Sequence, residues 1–307
     1  ALLAALVGFM ISAGIIFLIT FLEDTIRDPE EISRKWGVPV LGIISKYESS
    51  SALVTMSQPR APISEAFRSL RTNLQFASAA SPLKTIVVTS PSPEDGKTTV
   101  VANLANVVSQ NNRKVVLVDA DLRKPRIHKI LELSNRTGLT DYFLSSQDHL
   151  SGVIKKTPSR NLFAITSGNL PPNPSELLGS DRMMEIVNLL APHFNTIFID
   201  TPPLLAVTDA LVLAPRMDGV ILVVDPRQTK RGAIKHAIDQ LRQVNANLVG
   251  VVLNNVKVGR SHYYYNRDYY YGKPYGKAAE AAVEPFEPDG DVDQVEKELA
   301  AKVNSSK

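Results

Sequence analysis

The chain has 307 residues, of which 44% are hydrophobic and 21% charged, with 34 Lys and Arg against 31 Asp and Glu. These proportions exclude a fully disordered chain and a membrane protein with many spans. The net charge of +3 is too small to indicate nucleic-acid binding by itself. The sequence has no cysteine, which excludes disulfides, zinc–thiolate sites and a cysteine nucleophile.

Residues 1–22 contain no charged side chain. As a helix they would span about 33 Å, enough to cross a bilayer core of about 30 Å. A signal peptide is disfavoured because the apolar run lacks a basic start and a small-residue cleavage site. A buried core helix is seldom so uniformly apolar. The sequence therefore predicts a transmembrane helix at 1–22, followed by a charged juxtamembrane segment and a linker at 23–60.

A short extended piece is predicted at 37–43, a Ser- and Pro-rich linker at 45–62 and an amphipathic helix at 63–80. From residue 84 the runs KTIVVTS, KVVLVDA, NLFAIT, NTIFID, DGVILVVD and LVGVVLNNV are predicted strands. They are mostly continuous apolar runs, which is typical of strands covered on both faces. The predicted helices between them are 97–111, 125–132, 138–146, 175–190, 207–215 and 229–245. We expect 147–160 to be a helix-to-strand connection.

This alternation predicts an α/β fold at 61–256, with a doubly wound, mostly parallel sheet flanked by helices. Such sheets bind ligands at the carboxyl ends of their strands. After Val256 the core pattern stops. Seven of the nine tyrosines lie between 263 and 275, and an Ala-, Glu-, Asp- and Pro-rich end follows. We expect 257–307 to be a disordered tail.

Residues 84–99 read KTIVVTSPSPEDGKTT, and an apolar helical segment follows. A strand, a turn-rich loop and Gly-Lys-Thr at a helix start form the context of a phosphate-binding P-loop. Gly96 would let the backbone approach phosphate, Lys97 would place a positive charge on it, and the Thr98 hydroxyl would face Mg²⁺. The full P-loop pattern begins with glycine at the position that Pro91 occupies, so the triplet alone is a weak signal.

Aspartates end two other predicted strands. Asp119 and Asp121 lie in VVLVDADLR, and Asp200 lies in IFIDTPP. An aspartate at a strand end is often only a turn residue. Beside a P-loop, however, these carboxylates and Arg123 are suited to binding a metal ion and positioning a phosphate acceptor. Together the three segments predict a nucleoside triphosphate site.

The chain resembles the bacterial tyrosine kinases of capsule and exopolysaccharide assembly. The resemblance rests on SPSPEDGKTT as Walker A, LVDADLR as a second aspartate motif, FIDTPP as Walker B and the tail HYYYNRDYYYGKPY. It extends to EAFRSLR, which matches an ExxRxxR helix ahead of the P-loop, and to the juxtamembrane DPEEISRKWGVPVLGII. The family's first transmembrane helix and extracytoplasmic domain have no counterpart here, so we expect the sequence to be the C-terminal part of a longer protein.

The resemblance implies transfer of the ATP γ-phosphoryl group to tyrosine, with ATP and Mg²⁺ as cofactors. The implied catalytic residues are Lys97, Asp119, Asp121 and Asp200, and Thr98, Asp121 and Asp200 would hold the metal. Nucleotide binding would involve Pro93, Glu94, Asp95, Gly96, Lys97, Thr98, Thr99 and Arg123. Asp119 is the first choice to orient or deprotonate the acceptor hydroxyl, although the sequence does not distinguish the roles of Asp119 and Asp121. The implied acceptors are Tyr263, Tyr264, Tyr265, Tyr269, Tyr270, Tyr271 and Tyr275.

The family also implies self-association in a ring through Glu65, Arg68 and Arg71, with phosphorylation between copies. The implied partners are the co-polymerase part of the protein, a cognate tyrosine phosphatase and the polysaccharide polymerisation and export machinery. The implied location is the inner or plasma membrane, with the kinase domain in the cytoplasm and no nucleic-acid partner. For Arg68 and Arg71 the alternative is an ordinary solvated helix face; for the tyrosines it is an aromatic tail that stacks on other molecules.

Two other functions remain open from sequence. One is a membrane-tethered ATPase switch related to the partitioning ATPases, which carry a second lysine near the start of the loop. Ser92 occupies that position here, which disfavours this reading. The other is a nucleotide-binding module without catalysis, which the presence of Lys97 and the three aspartates disfavours.

Overall fold

A computed structural model of the chain describes residues 8–14, 24–26, 28–49, 51–80, 82–144 and 152–257. Within them the strands are β1 Val40–Ser45, β2 Thr85–Thr89, β3 Val115–Asp119, β4 Ile154–Lys156, β5 Leu162–Ile165, β6 Thr196–Asp200, β7 Gly219–Val224 and β8 Leu248–Val256. The helices after residue 29 are α1 Glu30–Trp36, α2 Val54–Ser57, α3 Pro62–Ala80, α4 Lys97–Ser109, α5 Ile127–Ile130, α6 Leu139–Leu144, α7 Pro174–Gly179, α8 Asp181–Leu190, α9 Asp209–Leu213 and α10 Arg231–Gln243. A 3-10 turn, Ala214–Arg216, follows α9.

The eight strands form one sheet in the order β1-β8-β7-β2-β6-β3-β5-β4. Every neighbouring pair is parallel except β4 with β5, which is antiparallel. The predicted parallel α/β sheet with flanking helices is therefore confirmed. Parallel strands place their carboxyl ends at one edge, so the ends of β2, β3 and β6 lie side by side in the middle of the sheet.

The central strands are buried along their whole length. Successive side chains point to opposite faces of the sheet, as the two-residue period of a strand requires. On β2, Val87 belongs to one apolar cluster while Ile86 and Val88 belong to the other. The continuous apolar runs of the sequence thus reflect two separate cores, one on each face of the sheet.

The segment assigned from sequence to the membrane-proximal linker contributes to the fold. Strand β1 pairs with β8 at the sheet edge, and Ile32 of α1 is fully buried. The predicted linker at 45–62 also contains α2, where Leu53 and Val54 are buried. The Thr55 hydroxyl and backbone N–H both donate to Asn103 Oδ1 of α4, each at 3.0 Å. The Ser- and Pro-rich composition of this segment led to its prediction as a linker, although it contains these buried apolar residues.

An ion-pair cluster joins α1 to α10. Arg231 Nε lies 2.8 Å from Glu31 Oε1, and Lys35 Nζ lies 2.6 Å from the same oxygen. Arg231 lowers the pKa of Glu31 against an opposing effect of burial, and Lys35 adds to the lowering. Because the pKa is lower in the folded than in the unfolded chain, the stabilisation is present at neutral pH and is lost as the pH falls through the folded pKa.

We therefore expect Glu31→Gln to lower the free energy of unfolding at neutral pH by about 1 kcal/mol. The difference from the parent should shrink as the pH falls below the ordinary pKa of glutamate, because the parent's Glu31 then becomes protonated. Urea unfolding at neutral and at acid pH measures both effects. Glu185→Gln is the control, because Glu185 pairs with Arg182 at 3.4 Å and its side chain is 54% exposed. Equal effects of the two substitutions would contradict this assignment.

Two predicted elements differ in the structure. The helix predicted at 175–190 is broken into α7 and α8, since Ser180 is extended with ψ 159°. A Cβ on Gly179 would lie 2.8 Å from Val212 Cγ1, and Arg216 Nη1 donates to the Gly179 carbonyl at 2.9 Å, so packing on α9 fixes the break. The connection predicted at 147–160 includes the short edge strand β4.

The membrane-helix and tail predictions fall largely outside the described residues. Of the predicted span 1–22, the structure describes 8–14, which are helical and exposed. Across the described part of the chain, no helix combines the length and apolar character needed to cross a membrane. The tyrosine cluster and the rest of 258–307 also lie outside the described residues.

Candidate nucleotide site

The P-loop lies at the carboxyl end of β2 and runs directly into α4. Two of its residues have left-handed backbone conformations, Glu94 with φ 68° and Gly96 with φ 86°. A Cβ on Gly96 would lie 2.2 Å from Asn254 Nδ2, which itself donates to the Asp95 carbonyl at 2.9 Å. Glycine is thus required at 96 both for the backbone angle and for the close approach of β8.

Asp95, predicted to bind nucleotide, is fully buried and braces the loop. Its Oδ2 accepts from the Ser92 N–H at 2.9 Å. Its Oδ1 accepts from the Asp225 N–H at 3.1 Å and from the Thr229 hydroxyl at 2.5 Å. Burial raises the pKa of Asp95, and these hydrogen bonds oppose the rise. The carboxylate therefore ties the P-loop to the turn after β7, and both of its oxygens accept hydrogen bonds from the chain itself.

Lys97, the first residue of α4, lies among carboxylates from two strands. Its Nζ is 2.8 Å from Asp121 Oδ2 and 3.3 Å from Asp200 Oδ1. The Thr98 hydroxyl donates to Asp200 Oδ2 at 2.7 Å. The residues predicted from three separate motifs are thus in direct contact, at the carboxyl ends of β2, β3 and β6.

Burial of this cluster changes its acid–base properties. Burial disfavours the charged form of Lys97, but Asp200 and Asp121 outweigh it and raise the pKa of the ammonium group. Burial raises the pKa of Asp200, which the charge of Lys97 and the Thr98 hydrogen bond oppose. The lysine is therefore cationic at neutral pH and compensates the negative charge at the strand ends.

Asp119 ends β3 directly opposite Asp200, its register partner on β6. Its Oδ2 accepts from the Ile127 N–H at 3.1 Å, at the start of α5. Its Oδ1 is buried and has no hydrogen-bond partner among the described residues. Burial and the neighbouring Asp200 raise the pKa of Asp119 well above its usual range. An unpaired oxygen on a buried carboxyl group is costly, which is typical of functional sites.

Asp121 differs from Asp119 in having both oxygens engaged. One binds Lys97, and Oδ1 accepts from the Lys124 N–H at 3.0 Å. The structure thus separates two carboxylates that the sequence left interchangeable. Asp121 belongs to the Lys97 cluster, whereas Asp119 has a free oxygen.

Arg123 forms its side-chain hydrogen bonds with residues outside the P-loop. Its Nε and Nη2 each donate to the buried Asp209 at 2.9 Å, and Nη2 also lies 3.1 Å from Ser175 Oγ. The Ser175 hydroxyl in turn donates to Asp209. This bidentate ion pair holds the guanidinium at the edge of the site, on the β3 side.

Sequence reasoning missed several residues that support the site: Ser175, Asp209, Asp225, Thr229 and Asn254. Asp225 follows a buried strand as Asp200 does, so the rule that found Asp200 would also have found it. Ser175 and Asn254 had no comparable signal. Of the remaining predicted loop residues, Pro93 and Glu94 are exposed, and the Thr99 carbonyl accepts from Asn103 Nδ2 at 2.9 Å.

The donor set fits Mg²⁺ bound together with phosphate. The Thr98 hydroxyl and the carboxylates of Asp121 and Asp200 all lie within hydrogen-bond distance of Lys97 Nζ, and oxygen is the ligand that Mg²⁺ prefers. Among the described residues, no group of three or more His, Cys, Asp or Glu side chains is arranged to hold a metal alone. Nucleotide-bound Mg²⁺ usually takes one or two carboxylates, with phosphate and water completing its shell.

The ExxRxxR residues lie on α3, some distance in sequence from the site. Arg68 Nη1 pairs with Glu65 at 2.7 Å, and Arg68 also donates to the Pro59 carbonyl. Arg71 Nη1 instead donates to the Val107 carbonyl at 2.9 Å, in the last turn of the P-loop helix α4. All three residues line a cavity of about 730 Å³ between α1, β1 and α3. Arg71 therefore contributes to the packing of its own chain.

The fold and the site define a P-loop nucleotide-binding α/β domain, and comparison with known proteins agrees. The AAA domain family matches residues 83–252. The putative tyrosine-protein kinase CapB of Staphylococcus aureus is 36% identical over 228 residues, which cover 74% of this chain and 98% of CapB. The putative tyrosine-protein kinase EpsB of Ralstonia solanacearum is 33% identical over 280 residues, which cover 87% of this chain and 37% of EpsB.

Among solved structures, the kinase domain of the Escherichia coli tyrosine kinase ETK superposes with a TM-score of 0.70. It is 28% identical, and the match covers 83% of this chain and all of that domain. The chain belongs to the bacterial tyrosine-kinase family that these relatives represent. The family expected from the motifs is therefore confirmed.

Proposed function

We propose that this chain is an ATP-dependent protein-tyrosine autokinase that phosphorylates its own C-terminal tyrosine cluster. The observation that carries the proposal is the contact of Lys97 and Thr98 with Asp121 and Asp200, beside the unpaired Oδ1 of Asp119. The first four groups suit the polyphosphate and its metal ion, and the fifth is a free acceptor for a proton. The names of the relatives point to the same reaction.

In the proposed reaction the tyrosine oxygen forms a bond to the γ-phosphorus as the bond to the β–γ bridging oxygen breaks. ADP leaves, and the phenolic proton passes to Asp119 Oδ1. Lys97 Nζ exchanges its carboxylate contacts for phosphate oxygens and offsets the charge that develops there. Thr98, Asp121 and Asp200 would hold Mg²⁺, which would supply positive charge against that of the phosphates. Loop N–H groups and the α4 N-terminus orient the phosphates.

The acceptors in this proposal are Tyr263, Tyr264, Tyr265, Tyr269, Tyr270, Tyr271 and Tyr275. Each phosphate adds about −1.5 to −2 charges at neutral pH. Several in one short tail would repel one another, so a modified tail would leave the site that the unmodified tail enters. We propose that copies act on one another in a ring and that the modification state regulates polymerisation and export of a capsular or exopolysaccharide.

This proposal places the kinase domain on the cytoplasmic side of the inner or plasma membrane, with 1–22 as the anchor. The partners would be the co-polymerase part of the protein, a cognate tyrosine phosphatase and the export machinery. The match covers only 37% of EpsB, so most of that relative lies outside the matched part. Because β1 belongs to the sheet and Ile32 of α1 is buried in the core, a soluble kinase fragment should begin before residue 28 rather than at the predicted boundary of 61.

Assembly through α3 yields a specific prediction for Arg68. Arg68→Glu should reduce the mass measured by light scattering towards that of one copy and lower phosphorylation between copies about tenfold, since interface charge reversals cost several kcal/mol. Within one chain the loss of the pair with Glu65 costs only a few tenths of a kcal/mol. Lys235→Glu on α10 is the matched surface control, because Lys235 pairs with Asp239 at i,i+4. Unchanged mass for Arg68→Glu would remove α3 from the interface.

Arg71 is unsuited to this test, because it holds the C-terminal turn of α4 in its own chain. A loss of assembly on changing it would not separate an interface from a folding defect.

Tyrosine-dependent ADP release tests the kinase proposal against the ATPase alternative. The parent chain is compared with a variant in which the seven cluster tyrosines are phenylalanine. A kinase should release one ADP for each phosphotyrosine formed, and the variant should release little ADP. Equal ADP release by both chains, with no phosphotyrosine on the parent, would establish a membrane-tethered ATPase switch instead.

A further inference from the structure

A cluster of positive charge borders the site on the β3 side and has no ion-pair partner in the part of the chain that the structure describes. Three exposed cations, Lys124, Arg126 and Lys129, follow Asp121 within eight residues, and we call them the basic rim. Within the described ranges none of the three makes an ion pair. Arg123 is excluded from this group because Asp209 neutralises it. Unlike Arg123, the rim therefore presents uncompensated charge to solvent.

The basic rim is rigidly attached to the reacting groups. The Lys124 N–H donates to Asp121 at 3.0 Å, and the Ile127 N–H donates to Asp119 at 3.1 Å. The pKa of His128, between the rim residues, is lowered by burial and then by the positive charges of Lys129 and Lys155. A ligand on the rim would thus be held within a few residues of both catalytic carboxylates.

A segment of the same chain has the complementary charge. Residues 280–298 carry eight carboxylates and one lysine. The tyrosine cluster at 263–275 has the opposite character, with Arg267 and Lys273 against Asp268. The rim would therefore attract 280–298 in preference to the unmodified cluster. We propose that the acidic segment 280–298 of a neighbouring copy docks on the basic rim and delivers the tyrosines to Asp119.

Chain lengths permit this arrangement. Glu280 follows Tyr275 by only five positions, which limits their separation to about 17 Å. Docking of the acidic segment would therefore keep the cluster beside the site and raise its effective concentration. The described chain ends at residue 257, and the 23 residues from there to Glu280 reach as far as about 80 Å when extended. That length is sufficient to reach an adjacent subunit.

The proposal rests on the proposed kinase function only for its rate assay. The enzyme is the full chain with the seven tyrosines changed to phenylalanine, and the acceptor is the full chain with Lys97→Met, both in detergent micelles. The rim variant of the enzyme is Lys124→Ser, Arg126→Ser and Lys129→Ser together. The tail variant of the acceptor has the eight carboxylates of 280–298 changed to amides.

We expect either variant to lower kcat/KM for transfer between copies about tenfold, mainly through KM, since three exposed ion pairs are lost. Combining the two variants should produce no further decrease. An enzyme with glutamate at the three rim positions should regain kcat/KM for this transfer when it is paired with an acceptor in which lysine replaces four of the tail carboxylates. The effect should vanish at about 1 M salt, where charges are screened beyond about 3 Å. Additive losses without recovery would overturn the proposal.

Binding without ATP separates failure of docking from failure of catalysis. A fluorescent peptide of residues 278–300 should bind the full chain carrying the tail variant, and binding should weaken about tenfold with the rim variant. If the parent pair transfers no phosphate but the peptide binds in this way, the kinase proposal fails and the docking site stands. If the peptide binds both proteins equally while phosphatidylglycerol vesicles need the rim, the rim is a lipid-binding surface and the proposal is overturned.

Discussion

Replacing Gly96 with alanine is expected to weaken nucleotide binding by at least about tenfold. The substitution places a Cβ 2.2 Å from Asn254 Nδ2, and it forces alanine into a backbone angle of φ 86° that costs about 1–2 kcal/mol. Asn254 would lose its hydrogen bond to the Asp95 carbonyl, and the loop would move away from β8. Titration with a fluorescent ATP analogue measures the change directly.

Gly37→Ala is the matched control for this experiment. Gly37 has φ 66°, but nothing lies within 4 Å of the position of its Cβ. It therefore carries the same backbone penalty without the collision and lies outside the P-loop. We expect it to lower the free energy of unfolding by about 1 kcal/mol and to leave nucleotide affinity unchanged. Equal loss of affinity in both variants would show that the contact with Asn254 is unimportant.

Lys97→Met should have the largest effect on phosphoryl transfer, a decrease of about 10²–10³-fold or more. The lysine is the one cation in contact with Asp121 and Asp200 among the described residues, and no other side chain there can replace it at the polyphosphate. Its removal also leaves two buried carboxylates without their counter-charge, so thermal stability should fall as well, by about 3 kcal/mol. Tail phosphorylation and thermal unfolding are measured on the same protein.

Since the lower stability alone could reduce activity, the assay is run well below the midpoint of unfolding and the folded fraction is checked by circular dichroism. Lys235→Met serves as the control because it removes an exposed lysine, with a side chain 62% exposed, and one surface pair. It should leave both measurements within error of the parent. A Lys97→Met chain that is folded and retains most of its activity would remove the lysine from the mechanism.

The sequence predicted the central sheet and the charged residues at the centre of the site, because both depend on local sequence patterns. Buried parallel strands are continuous apolar runs, and the residue that ends such a strand lies at the ligand-binding edge. Asp119 and Asp200 follow from that rule, Asp121 lies two residues beyond a strand end, and Lys97 was found from the Gly-Lys-Thr pattern at a helix start. The structure brings these four residues together.

The supporting residues could not be predicted because their contacts join distant parts of the chain. Asp95 was assigned to nucleotide because it lies in the loop, yet its partner Thr229 is 134 residues away. Arg123 was assigned to the site because it follows Asp119 and Asp121 in the second aspartate motif, and the structure pairs it with Asp209. Neither pairing leaves a periodic signal. The helix α2 was missed for a different reason, since one turn of helix is shorter than the window in which helical periodicity is visible.

The location of the phosphate tests the tyrosine-kinase proposal most directly. The full chain is incubated with Mg-ATP in detergent micelles and mapped by mass spectrometry, beside the Lys97→Met chain. We expect phosphate on several tyrosines between 263 and 275 in the parent and on none in the variant. ATP consumption by the folded parent with every tyrosine of the cluster unmodified would contradict it.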